Sequence, residues 1–165
     1  MGINPFQSMI QDMFLGSIRQ QRWTPRELRV LYATKAVVPI NPDEILFLNE
    51  LGENIAEMKR NHRGNNKTSM DTTSGSSAVN WDAEFKVFLT GVKPEDIKTS
   101  PHLPKRTVAG RITEKDLDEA LGDKKNREGT LVYVCGPRVM TDTFVEYLGS
   151  QKGMTKERVL CEKWW

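Results

Sequence analysis

The sequence predicts an α/β layer fold with a parallel sheet, and two observations carry that expectation. Some segments repeat apolar residues at three- and four-residue steps, whereas others are short β-branched runs. The two kinds alternate along the 165 residues as helix, strand, helix, strand, helix, strand, helix, strand. Such alternation implies βαβ crossovers between parallel strands. A wound sheet of this type normally begins with a strand, and this sequence opens at the turn after one.

Asn4-Pro5 followed by Gln7 reads as a helix start, with an asparagine cap and proline at the first helical position. Phe6, Met9, Ile10, Met13, Phe14 and Ile18 then stripe one face of that helix. Pro25 stops any continuation. Arg29 to Thr34, RVLYAT, is a β-rich run. Asn41-Pro42 repeats the earlier start, opening a second helix striped by Ile45, Leu48 and Leu51. Gly52 weakens that helix by roughly 1 kcal/mol relative to alanine, which allows a break and restart there. Residues 60–80 are rich in Gly, Ser, Thr and Asn with almost nothing to bury, and read as a disordered surface insertion. Beyond them Phe85 to Thr90 is a strand, and Thr113 with Asp116 resembles a capping box opening a helix through Leu121. Thr130 to Cys135 is the clearest strand. Thr141 to Leu148 is a helix with Phe144, Val145 and Leu148 inward, and Val159 to Glu162 is the last strand.

Composition narrows the function classes. The 24 basic and 22 acidic residues are well mixed and leave a net charge of +2, which is no footprint for nucleic acid or an anionic membrane. No apolar run is long enough to span a bilayer. The first residues have neither a secretory-signal nor a transit-peptide pattern. Two histidines far apart and no cysteine cluster argue against a structural zinc site, so no metal is expected. Cys135 and Cys161 each fall at or in a strand, and the default is two reduced thiols.

In open α/β sheets ligands bind beyond the carboxyl ends of the strands. Three segments arrive there: Gly2-Ile3-Asn4-Pro5 at a helix N-terminus, Thr34, and Cys135-Gly136-Pro137. A helix N-terminus suits a pyrophosphate, and glycine lets backbone approach a ligand. Each feature has an ordinary alternative. Gly2 can serve simple capping, and a strand-end cysteine is often only a small hydrophobe.

Taken together, the segments have a family likeness. GINPFQSM resembles the tail of the G-G-x-G-I-x-P turn in the nucleotide-binding domain of ferredoxin–NADP⁺ reductase-type flavoproteins. VYVCGPRVMTDTFVEYLG resembles that family's second signature, a strand leading to C-G-P-x-x-M and a helix, with Met140 at the spaced methionine. RVLCEKWW is similar to its last strand, with Glu162 at an acidic position and Trp164 at a terminal aromatic one. LYATK, EILFLNEL and GRITEKDL fit the intervening elements in order. Within the family, the Glu-Lys-Trp-Trp tail is similar to that of the oxidoreductase NAD-binding domain-containing proteins of animals and fungi. The likeness implies a Rossmann-like nucleotide-binding domain of ferredoxin reductase type that passes hydride between NAD(P)H and a flavin. It implies that Gly2, Ile3, Asn4 and Pro5 line the pyrophosphate turn, and that Thr34 and Thr90 approach the ribose and adenine side. Cys135 would lie beside nicotinamide C4, with Gly136, Pro137 and Met140 shaping the pocket. Trp164 would lie near the flavin–nicotinamide stack, with Trp165 its rival. In such a site Cys135 positions the reactants, and the redox chemistry belongs to the cofactors.

Two departures from the family pattern shape the expectation. Nothing resembles the R-x-Y-S/T flavin motif, and no FAD-binding barrel fits, so FAD would come from a missing or separate domain. In the family order 3-2-1-4-5 the first strand is central, and its absence would leave the strands at Val30–Thr34 and Leu131–Cys135 without a neighbour. The expectation is a single, N-terminally truncated nucleotide-binding domain over residues 1–165, from a longer flavoprotein. Thr90-Gly91 stands where NADP⁺-selective members carry a Ser-Arg pair, so NAD(H) is favoured over NADP(H), with Lys86, Lys93 or Arg111 as compensating cations. The partners implied are a nicotinamide dinucleotide and a flavin domain or electron-transfer protein. A non-catalytic relic of the fold is the second reading, and a Cys135–Cys161 redox pair the third. The compartment stays open between mitochondrial and cytoplasmic.

Overall fold

The computed structural model describes Met9, residues 27–65 and residues 82–164, of which 61–65 and Trp164 are placed by their backbone. The helix expected from Asn4 lies outside the described residues, apart from Met9. The chain divides into two compact units, Met1–Arg111 and Ile112–Trp165. Each has its own parallel sheet, so the α/β class and the parallel strands are as the sequence predicts.

In the first unit, β1 (Glu27–Lys35) and β2 (Asp82–Thr90) pair in parallel from Glu27↔Asp82 to Lys35↔Thr90. The crossover between them carries α1 (Leu48–Asn65). Leu48, Leu51, Ile55 and Met58 are all buried, at helical spacing. Ala83, Val87 and Leu89 alternate along β2 on the face that meets them, and Val30 joins from β1. Each large apolar side chain here contributes about 1.5–3 kcal/mol on leaving water, and Phe88, also fully buried, projects from the opposite face of β2.

Three details differ from expectation. Asn41 does act as a cap, its Oδ1 accepting from Asp43 N at 3.2 Å, but it opens only the 3₁₀ turn Pro42–Glu44. Phe47, at φ 62°, then redirects the chain before α1 begins. Gly52 does not break α1. A Cβ there would stand 3.9 Å from the Phe85 ring, an ordinary contact, and burial on both sides carries the helix past the weak residue. The helix also runs to Asn65, six residues into the segment read as disordered, because a register already set by Ile55 and Met58 extends readily. Two short elements escape the sequence reading: α2 (Pro94–Lys98) and β3 (Thr107–Ala109), which pairs with β2 to give the order β1-β2-β3.

The second unit opens with α3 (Glu114–Leu121), whose capping box is as predicted. Thr113 N donates to Asp116 Oδ2 at 2.9 Å and Asp116 N to Thr113 Oγ1 at 3.4 Å. A β-α-β unit follows: β4 (Val132–Pro137), α4 (Arg138–Ser150) and β5 (Val159–Trp164), paired from Val132↔Val159 to Pro137↔Trp164. Its connecting turns are tied by two arginines. The buried Arg127 donates from Nε and Nη2 to Gly122 O at 3.1 and 3.0 Å. Arg158 donates to Arg127 O at 2.5 Å and to Gly153 O at 2.8 Å.

Among the described residues, β1 pairs only with β2 and β4 only with β5, so each strand keeps one edge of unpaired backbone groups. No described helix is long and apolar enough to cross a membrane. No three described His, Cys, Asp or Glu side chains come together as a metal site.

Candidate functional site

The expected site residues fall into two groups, one in each unit. In the second unit, Cys135, Gly136 and Pro137 end β4, and Met140 lies in the first turn of α4. The spacing of this motif has a local cause. A Cβ on Gly136 would come within 2.3 Å of Met140 Cε, so the methionine methyl occupies the space that glycine leaves. Next to it the fully buried Thr141 donates from Oγ1 to Gly136 O at 3.1 Å. Strand end and helix start are thereby fixed to each other.

Alternation along β4 then sets which side chains share a face. Val134 and Gly136 are buried on the face that carries Met140 and Thr141. Tyr133 and Cys135 project from the opposite face, as do their register partners Leu160 and Glu162. Cys135 and Glu162 are both half-buried, and Tyr133 Oη donates to Glu162 Oε2 at 2.7 Å. Burial first, and then the nearby Glu162 charge, push the Cys135 thiol above its usual range, while the Tyr133 hydroxyl partly offsets this. The sulfur is therefore a neutral thiol at physiological pH, which suits a positioning group better than a nucleophile.

Cys161 pairs in register with Val134 and so projects from the other face than Cys135. Both cysteines are free, and opposed faces do not permit the thiol pair weighed as the third reading. On the Cys161 face, Lys163 Nζ meets Asp142 Oδ1 at 2.5 Å and Arg138 Nε meets its Oδ2 at 3.6 Å. The Lys163 hydrogen bond chiefly holds the Asp142 carboxyl below its usual range. Trp164 ends β5 opposite Pro137. Gly2, Ile3, Asn4, Pro5 and Trp165 lie outside the described residues.

In the first unit, Thr34 and Thr90 come together at adjacent strand ends. Register places Thr34 beside Leu89 on the core face and Thr90 beside Lys35 on the other. The Thr90 hydroxyl donates to Thr34 O at 3.3 Å. Gly91, at φ 85°, makes the turn that follows, and a Cβ there would stand 3.0 Å from Ala36 O. Of the cations proposed as compensating, Lys86 lies with Nζ 5.4 Å from the Phe88 ring centre, and for Lys93 it is the backbone N–H that donates to Asp96 Oδ2, at 2.7 Å. An open groove of about 560 Å³ in this unit runs between α1 and β2, lined by Gly52, Ile55, Phe85, His102 and Arg106 among others. It contains none of the expected site residues.

Tyr133 is the residue the sequence reading passed over. Alternation alone puts it on the Cys135 face, but its reach to Glu162 depends on the β4–β5 register.

Several curated proteins are similar to this chain, all named oxidoreductase NAD-binding domain-containing protein 1. The one from Pongo abelii is 37% identical over 82 residues, covering 44% of this chain and 24% of its own length. That from Homo sapiens is 36% identical over 83 residues, again 44% of this chain and 25% of its own length. That from Xenopus tropicalis is 30% identical over 125 residues, 76% of this chain and 30% of its own length. The chain thus spans between about a quarter and a third of the length of these relatives. No protein-family model and no solved structure matches it. By sequence, the chain is similar to a part of the oxidoreductase NAD-binding domain-containing proteins.

Proposed function

We propose that this chain is the nicotinamide-dinucleotide-binding module of an oxidoreductase, of ferredoxin reductase type. The observation that carries the reading is the Cys135–Glu162 pair, half-buried at the carboxyl end of β4–β5 on the face away from Met140 and Thr141. Its polar groups fit an amide-bearing aromatic ring: a neutral thiol gives a soft, uncharged wall, and a carboxylate accepts from a carboxamide. The names of the relatives support the same class of ligand.

When bound, NAD(H) supplies the hydride, and the chain's own residues bind and orient. Cys135 would pack beside the reacting carbon, with Pro137 on the same face and only the backbone of Gly136 between them shaping the floor. Gly2 to Pro5, outside the described residues, are assigned to the pyrophosphate on the family likeness alone. The adjacent strand ends at Thr34 and Thr90 are assigned to the ribose and adenine side. NADH is favoured over NADPH because Thr90-Gly91 offers no guanidinium for a 2′-phosphate. The acceptor is a flavin held on another domain.

Fluorescence titration with NADH tests the reading. Saturable binding that weakens in Cys135→Ser supports it. Absence of binding in both forms refutes the cofactor assignment and favours the relic.

A further inference from the structure

Among the described residues, Glu162 is the carboxylate in register with Cys135 on the face it shares with Tyr133, and its orientation decides what it can accept. On its own a glutamate samples several rotamers, and a ligand that needs one of them must order it on binding. Here the order is already present. Tyr133, two residues before Cys135 on the same face of β4, reaches diagonally across to β5 and donates to Glu162 Oε2 at 2.7 Å. A carboxylate that has accepted one hydrogen bond keeps further lone pairs for a second donor. We propose that Tyr133 is a positioning residue: its hydroxyl holds the Glu162 carboxylate beside Cys135 as a fixed acceptor for the carboxamide of a nicotinamide ring. The inference rests on the nicotinamide reading above and adds a residue to it. Burial, followed by the hydrogen bond to Glu162, moves the Tyr133 ionisation far above its ordinary value. The hydroxyl is therefore a donor throughout the physiological range.

The test compares NADH with ADP-ribose, which lacks the nicotinamide, on the full chain and on Tyr133→Phe. Loss of a hydrogen bond to a charged group predicts NADH binding about tenfold weaker, with ADP-ribose binding unchanged. Equal weakening of both ligands would mean that Tyr133 only supports the fold, and would overturn the proposal. So would NADH binding as tight as in the unmodified chain. A spectrophotometric tyrosine titration checks the clamp without any ligand. Glu162→Gln should bring one tyrosine ionisation down towards its ordinary range, and that change should vanish when Tyr133→Phe is added. No such shift would overturn the clamp itself. If the unmodified chain binds neither ligand, the nicotinamide reading fails and the proposal falls with it. Failure confined to Tyr133→Phe leaves the reading standing.

Discussion

Replacing Thr141 with valine probes the joint on which the Cys-Gly-Pro segment depends. Thr141 has no exposed surface, and its hydroxyl donates to Gly136 O at 3.1 Å. Valine has nearly the same volume and the same branching, so packing and helix propensity hardly change. What is lost is one buried hydrogen bond, together with the desolvation cost of a carbonyl that loses a partner, together about 1–3 kcal/mol. With a urea slope of about 1.5 kcal/mol/M, the midpoint should fall by roughly 1 M. Thr143 supplies the control on the same helix. Its hydroxyl donates to Val139 O at 2.9 Å but is exposed, so water replaces the bond. Thr143→Val should stay within about 0.5 kcal/mol. Urea unfolding followed by circular dichroism measures both. Equal effects at the two positions would refute the claim that Thr141 anchors the strand end.

Other predictions follow from the same geometry. Gly52→Ala should stabilise the first unit by about 0.5–1 kcal/mol, because the added methyl meets Phe85 at an ordinary distance, and thermal melting would show the rise. Asp142 is held ionised by Lys163 and Arg138, so its folded-state ionisation lies below the unfolded one. Its contribution is complete above the ordinary carboxylate range and is lost as pH falls through the folded value. Asp142→Asn should therefore be less stable at neutral pH and converge with the unmodified chain in acid, as urea midpoints across pH would register. The alkylation of Cys135 should have its pH midpoint above the ordinary thiol range, and Glu162→Gln should lower it. Mass spectrometry of the tryptic peptides resolves it from Cys161.

How much of this was legible in the sequence follows from the range of the forces involved. The Thr113–Asp116 box needs only three residues and was read correctly, as was the alternation that defines the α/β class. The paired cores of β1, β2, β4 and β5 were also visible, to within a few residues at their ends. β3 was not. Its three residues carry no pattern, and it forms because Val87 N finds Arg106 O at 2.9 Å and Gly110 N finds Leu89 O at 2.9 Å. The break at Phe47 was equally hidden, since the Tyr32 hydroxyl that donates to Leu46 O at 2.5 Å comes from 14 residues away. At the candidate site the motif named Cys135 and Gly136, and Glu162 stood out as acidic. That Tyr133 joins them became visible only with the β4–β5 register, which no local signal encodes.

The central claim is that Cys135 lines a nicotinamide site, and the protein carries its own control in Cys161 on the opposite face. Alkylation of the two thiols is timed by mass spectrometry at mildly alkaline pH, with and without saturating NADH. NADH should slow modification of Cys135 and leave Cys161 unchanged. Equal rates at Cys135 with and without NADH would contradict it.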